Sequence, residues 1–266
     1  MRPNRIRQLW QEGKPAIGGW CGIPSSFATE IMAHQGFDWL CVDLQHGIVD
    51  YQVAVTMLQA ISTTETMPIV RVPWNDPAWI MKVLDAGAYG VIIPLVNTKA
   101  EAEAAVAACR YPPVGIRSSG PARAIYYGGR DYQEHANEEI LCICMIETKQ
   151  GIANLDEICS VPGLDAVYIG PADLSLALGL PPRADVEEQI HVDTVRRIRE
   201  TAHNRGIKAA MHCAGAPFAA RKAVEGFDMV MLTSDSACLV RSASEQLATM
   251  HKAIQDAQVG AQSGTA

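Results

Sequence analysis

Four polar residues stand where apolar runs end, and their types can do chemistry together. His46 closes the run that starts at 39, and Arg71 lies inside Ile69-Val70-Arg71-Val72-Pro73. Glu147 closes 141–147, and Asp173 follows 166–170. Glu147 and Asp173 are carboxylates with no Cys or His beside them, a donor set that suits a hard divalent cation such as Mg²⁺ or Mn²⁺. Each alone is as readily an acid resting on backbone amides at a helix start. A glycosidase pair is a third reading, although 4 Phe, 5 Trp and 7 Tyr are few for a sugar groove. His46 can serve as a general base if Asp43 or Asp85 orients it; otherwise it is a plain hydrogen-bonded histidine. A guanidinium at Arg71 is costly in an apolar strand unless it meets an anion. That anion is a substrate oxygen or an internal partner, Asp43 or Asp173. Asp173 begins a helix after Gly170-Pro171-Ala172, so the nearby backbone amides can bind a carboxylate. Of the other six histidines only His212, near the end of the seventh strand candidate, stays a candidate.

These residues need a scaffold that brings strand ends together. Eight short apolar runs supply it, at 16–23, 39–45, 68–73, 90–96, 141–147, 166–170, 208–213 and 229–233. Most are apolar throughout rather than alternating, as in parallel strands buried on both faces. Helix-period segments separate them, with Ser25-Ser26 and Asn75-Asp76-Pro77 as start signals and Gly36 and Tyr111-Pro112-Pro113 as stops. Eight β-then-α units in 266 residues average about 33 each, the size found in a (β/α)₈ TIM barrel. The expected organisation is one α/β barrel domain over 1–258, a long polar loop at 115–139, and a flexible tail at 259–266. A doubly wound sheet is the alternative, but no G-x-G-x-x-G follows the first strand. In a barrel the four residues share the C-terminal mouth, where such enzymes keep their chemistry.

Composition narrows the classes further. The net charge is −7, and Lys and Arg are scattered, which argues against nucleic acid or an anionic membrane as partner. No apolar stretch approaches the ~20 residues of a membrane span, and the first 14 residues lack a signal-peptide pattern. The eight cysteines include no C-x-x-C pair and read as buried free thiols in a cytoplasmic protein.

Taken together, several stretches resemble the HpcH/HpaI aldolases, class II metal-dependent pyruvate aldolases on a (β/α)₈ barrel. They are Asp43-Leu44-Gln45-His46-Gly47, Val70-Arg71-Val72-Pro73-Trp74-Asn75-Asp76-Pro77, Leu84-Asp85-Ala86-Gly87-Ala88, Ile146-Glu147-Thr148 and Ile169-Gly170-Pro171-Ala172-Asp173-Leu174-Ser175. The resemblance implies that Glu147 and Asp173 hold Mg²⁺, Mn²⁺ or Co²⁺. It implies that pyruvate or hydroxypyruvate chelates that ion and rests on the amides of Ala172 and Asp173. His46 is then the base, Asp85 raises its basicity, Arg71 stabilises an enolate, and Asp43 and Gln45 support them. Trp20 and the 117–127 loop shape the aldehyde end. The implied assembly is a hexamer built as a trimer of dimers, and the implied reaction is reversible cleavage of 4-hydroxy-2-oxo acids. Met145 departs from the family, in which many relatives carry a substrate-contacting glutamine two residues before the metal glutamate. Alternatives are an oxaloacetate decarboxylase similar to macrophomate synthase, a lyase similar to citrate lyase, and a non-catalytic acid-binding barrel. A Schiff-base aldolase would have only Lys149 to use.

Overall fold

Each apolar run pairs with the next along the chain. The structure, a computed structural model, describes residues 1–263, with side chains as far as 258. The strands are β1 (Ala16–Cys21), β2 (Trp39–Asp43), β3 (Met67–Arg71), β4 (Gly90–Ile93), β5 (Leu141–Met145), β6 (Ala166–Ile169), β7 (Lys208–His212) and β8 (Met229–Ser234). All are parallel and form a closed barrel in chain order, with β8 returning beside β1. This is the expected (β/α)₈ architecture. Every residue of β2, β4, β5 and β6 is buried, which is why these strands read as unbroken apolar runs.

Helices ring the barrel. They are α1 (Arg5–Gln11), α2 (Ser26–Ala33), α3 (Tyr51–Ile61), α4 (Pro77–Asp85), α5 (Lys99–Cys109), α6 (Ala124–Gly128) and α7 (Tyr132–Glu139). After β5 come α8 (Lys149–Ala153), α9 (Leu155–Cys159), α10 (Pro171–Ala177), α11 (Gln189–Asn204), α12 (Ala216–Val224) and α13 (Asp235–Ser263). Ser25, Asp50 and Asp76 cap α2, α3 and α4 through their side chains, and Thr98 with Glu101 forms a capping box on α5.

Three expectations change. The strands stop two or three residues short of 23, 45, 96 and 147, so His46 and Glu147 sit in the loops just beyond them. The stretch 115–139 is not one loop, for it contains α6 and α7 and is pinned by Tyr132 and Arg117, which are buried. The last helix continues into the expected tail, past 259 to Ser263, so only 264–266 of that tail lie outside the described residues. That helix, α13, touches β1, β8 and α2. Beyond those contacts it exposes Leu239, Val240, Leu247 and Met250, each 60–66% accessible. No helix among the described residues is long and apolar enough to cross a membrane.

Candidate active site

The C-terminal ends of β2 and β3 lie in register, with Asp43 opposite Arg71. The guanidinium grips the carboxylate with two bonds, Nε to Oδ1 at 2.9 Å and Nη2 to Oδ2 at 2.6 Å. Asp43 also accepts from Trp20 Nε1 at 3.1 Å and from the backbone N–H groups of Gln45 and His46. Burial alone would raise the Asp43 carboxyl, but the bonds and charge of Arg71, with Trp20 and the Gln45 amide, hold it below the ordinary carboxylate range. Arg71 in turn lies over the Trp20 ring, 4.9 Å from its centroid. The pair at Arg71 is therefore the internal one with Asp43. Because Asp43 spends its oxygens on this network and on the turn after β2, it bonds only the backbone of His46. The His46 side chain is exposed and has no hydrogen-bond partner among the described residues. Gln45 contributes its backbone N–H alone.

Across the mouth, Glu147 lies two residues past β5 and is 2% exposed. Its Oε1 accepts from the Leu95 N–H at 2.9 Å, while Oε2 has no hydrogen-bond partner among the described residues. A Cβ on Gly170 would fall 2.2 Å from Oε2 and 2.9 Å from Met145 Cε, so only glycine lets the β6–α10 turn pass this close. Asp173, the third residue of α10, is exposed. Burial pushes the Glu147 carboxyl up to about 7; the Leu95 amide and Arg71 oppose the rise, and the charge of Asp173 adds to it.

A buried carboxylate that resists ionisation and keeps one oxygen unpaired is suited to a cation. Glu147 and Asp173 offer only oxygen donors, and no cluster of three or more His, Cys, Asp or Glu exists among the described residues. The set fits a hard divalent ion that keeps open positions for substrate and water.

Two cavities meet here. One, of about 380 Å³, is lined by Met145, Glu147, Gly170, Pro171, Ala172 and Asp173 among others. The second, of about 580 Å³, is lined by Trp20, Ile23, Ile48, Met231, Ser234 and Asp235 among others. His46, Arg71 and His212 line both. Asp235 accepts from the Gly22 and Ile23 amides and so ties the β1–α2 loop to the end of β8.

Asp85 is bonded to Arg117 and makes no hydrogen bond to His46 among the described residues. Its carboxylate accepts from Arg117 Nη2 at 2.9 Å, and neither residue lines a mouth cavity. Arg117 is held beneath Tyr111 and beside Tyr132 rather than at an aldehyde end. His212, kept open from sequence, belongs to the site, and its partner Tyr168 escaped sequence reasoning. Tyr168 sits in an apolar strand without any spacing signal, and its hydroxyl lies 3.1 Å from His212 Nδ1.

Known proteins resemble the chain over most of its length. A family model described as HpcH/HpaI aldolase/citrate lyase matches residues 17–241. A hydroxypyruvate/pyruvate aldolase of Rhizorhabdus wittichii is 42% identical over 245 residues, covering 92% of this chain and 98% of the relative. A 4-hydroxy-2-oxo-heptane-1,7-dioate aldolase of Salmonella paratyphi C is 38% identical over 246 residues, covering 90% and 92%. Among solved structures, an HpcH/HpaI aldolase/citrate lyase family protein from Burkholderia cenocepacia superposes with a TM-score of 0.85 at 31% identity, covering 93% of this chain and 99% of that one.

Proposed function

The chain belongs to the HpcH/HpaI aldolase/citrate lyase family and is an aldolase, and from that premise we propose how its own residues work. The reaction is the reversible cleavage of 4-hydroxy-2-oxo acids to pyruvate or hydroxypyruvate and an aldehyde, through an enolate. Glu147 and Asp173 hold the divalent cation, Mg²⁺, Mn²⁺ or Co²⁺. When bound, that ion polarises the keto group and eases loss of a proton from the neighbouring carbon.

His46 takes that proton. It stands free in the mouth, with no internal bond to break first. Arg71 is locked to Asp43 through Nε and Nη2, which leaves Nη1 and the cationic face for the enolate oxygen. The substrate carboxylate rests on the amides of Ala172 and Asp173, and Gly170 and Pro171 line the same cavity. The enolate carbon attacks the aldehyde held in the second cavity, and the alkoxide takes back the proton that His46 carries. In reverse, the base removes the hydroxyl proton and the carbon–carbon bond breaks. Asp85 accepts from Arg117 and makes no bond to His46 among the described residues.

The exposed apolar residues of α13 support a homo-oligomer in which a second copy covers this helix, with a hexamer as the expected state. Light scattering checks it, and a monomer would refute it. All eight cysteines are free, which supports a cytoplasmic location.

The observation that carries the reading is the convergence of the open Glu147 oxygen, Arg71 and His46 on one cavity. Deuterium exchange into the pyruvate methyl group, followed by proton NMR, tests it. EDTA-treated enzyme should be silent, and Mg²⁺, Mn²⁺ or Co²⁺ should restore exchange. If no metal restores exchange with pyruvate, hydroxypyruvate or oxaloacetate, the enolate reading is wrong.

A further inference from the structure

In the proposed reaction the 2-oxo acid occupies the cavity that holds both carboxylates, and the aldehyde occupies the second. The new bond joins C3 of the acid to the aldehyde carbon, so C3 must lie where the cavities meet. Three side chains line both cavities, namely His46, Arg71 and His212. His46 carries the proton and Arg71 serves the enolate oxygen. His212 is left beside whatever substituent C3 bears.

We propose that His212 recognises a hydroxyl on C3 by donating from Nε2 to its oxygen, so that the enzyme prefers hydroxypyruvate to pyruvate as the nucleophilic partner. The inference rests on the aldolase reading and adds to it the residue that selects the donor.

Neighbouring strands prepare His212 for this. Tyr168 on β6 is fully buried, and its hydroxyl has His212 Nδ1 as its one partner among the described residues, at 3.1 Å. A buried phenol that donated nowhere would leave its O–H unsatisfied. The phenol therefore donates to Nδ1, and the ring hydrogen resides on Nε2. Trp20 packs edge-on against the imidazole, with centroids 4.9 Å apart and an interplanar angle of 79°, fixing the ring plane. Burial and the charge of Arg71, opposed by Asp43, bring His212 down to about 4, so the ring is neutral near pH 7. Nε2 has no partner among the described residues and is not one of their sealed polar atoms. Apart from His46 and Arg71, His212 is the only side-chain N–H donor among the described residues lining the acid cavity, and Met145 there donates nothing. Pyruvate, whose C3 is a methyl group, leaves this donor unpaired, and hydroxypyruvate, whose C3 bears a hydroxyl, satisfies it. Sites built to bond a hydroxyl discriminate against analogues that lack it.

Exchange of C3 hydrogens for deuterium, corrected for the uncatalysed rate, reads the preference without any aldehyde. The measured quantity is the ratio of kcat/KM for hydroxypyruvate to that for pyruvate in metal-loaded enzyme. Wild type should favour hydroxypyruvate. His212→Phe should lower the ratio about tenfold, the equivalent of one lost hydrogen bond. His212→Asn, which retains an uncharged donor, should recover part of it. Tyr168→Phe, which frees the tautomer but keeps the imidazole, should lower it by a smaller factor. A wild-type preference for pyruvate, or a ratio that stays within about twofold in both His212 variants, overturns the assignment while the aldolase reading stands. Exchange with neither acid under any of the three metals overturns both.

Discussion

Two arginine–aspartate pairs sit at opposite ends of the barrel, and they are built to different ends. At the N-terminal ends of the strands, Arg110 donates Nη2 to Asp165 at 2.8 Å and to the Gly163 carbonyl, and Nη1 to the Ile140 carbonyl. Asp165 also accepts from Arg7 and from the Cys142 N–H. The pair is sealed. At the mouth, Arg71 and Asp43 make bonds of similar length, and Asp43 is equally saturated. Arg71 nonetheless keeps Nη1 without a partner among the described residues, and across the cavity Glu147 keeps Oε2. The same chemistry is structural where both terminal guanidinium nitrogens are engaged by the chain, and functional where one of them is left for substrate.

Removing a group from the mouth should therefore abolish turnover and spare stability, and removing one from the base should do the opposite. The largest effect is expected for Glu147→Gln. It removes a cation ligand and should reduce kcat/KM about 1,000-fold or more. It should not lower the urea midpoint of metal-free protein, because a buried charge is removed as well. Next comes Arg110→Met, which strands Asp165 in the interior. Breaking a buried pair from one side costs about 3–5 kcal/mol, read as a fall in urea midpoint, while the turnover of the folded fraction should stay near wild type. If Arg110→Met lost activity and kept its stability, the division between the two ends would collapse.

The mouth also contains its own contrast, visible in pH. Glu147 is raised in the folded state from 4.5 to about 7, so its protonated form stabilises the metal-free fold. That contribution is complete below about 4.5 and disappears as pH rises through about 7, a loss on the order of 3 kcal/mol. Asp43 runs the other way: lowered in the fold, it stabilises above the ordinary carboxylate range, and that contribution is lost as pH falls through its folded value. Urea midpoints at pH 5 and pH 7.5 in EDTA, with Glu147→Gln subtracted, isolate the first effect. Saturating divalent metal should flatten it, since the ion replaces the proton. A slope that survives in Glu147→Gln would assign it to another group.

How far the sequence reveals this site depends on how local each feature is. The barrel was legible because β2, β4, β5 and β6 are buried on both faces and so carry unbroken apolar runs. Arg71 was legible as a charge in such a run, but choosing Asp43 over Asp173 as its partner needed the β2–β3 register. Asp85 was legible as a candidate, but its bond to Arg117 was not, because that bond depends on how 115–139 folds around buried Arg117 and Tyr132. Tyr168 and His212 lie 44 residues apart on β6 and β7, and no spacing rule links them. What joins them is the barrel's own register, with Tyr168 opposite Ala210, two residues before His212.

The smallest effect should come from Trp20→Phe, and it sharpens the comparison most finely. The indole does two things at once: Nε1 donates to Asp43 at 3.1 Å, and the ring lies under Arg71 and against His212. Phenylalanine keeps an aromatic face and removes the N–H. Asp43 retains four other hydrogen-bond donors, Arg71 Nε and Nη2 and the amides of Gln45 and His46. The loss in stability should then be about 0.5–1.5 kcal/mol, the net value of one hydrogen bond. If the mouth pair were as closed as the basal one, kcat would not respond. Because Arg71 is positioned for a substrate oxygen through Asp43, loosening that carboxylate should also lower kcat, by about threefold to tenfold, with KM less affected. Stability and kcat both unchanged would mean that Arg71 is held by Asp43 alone and that the indole is packing.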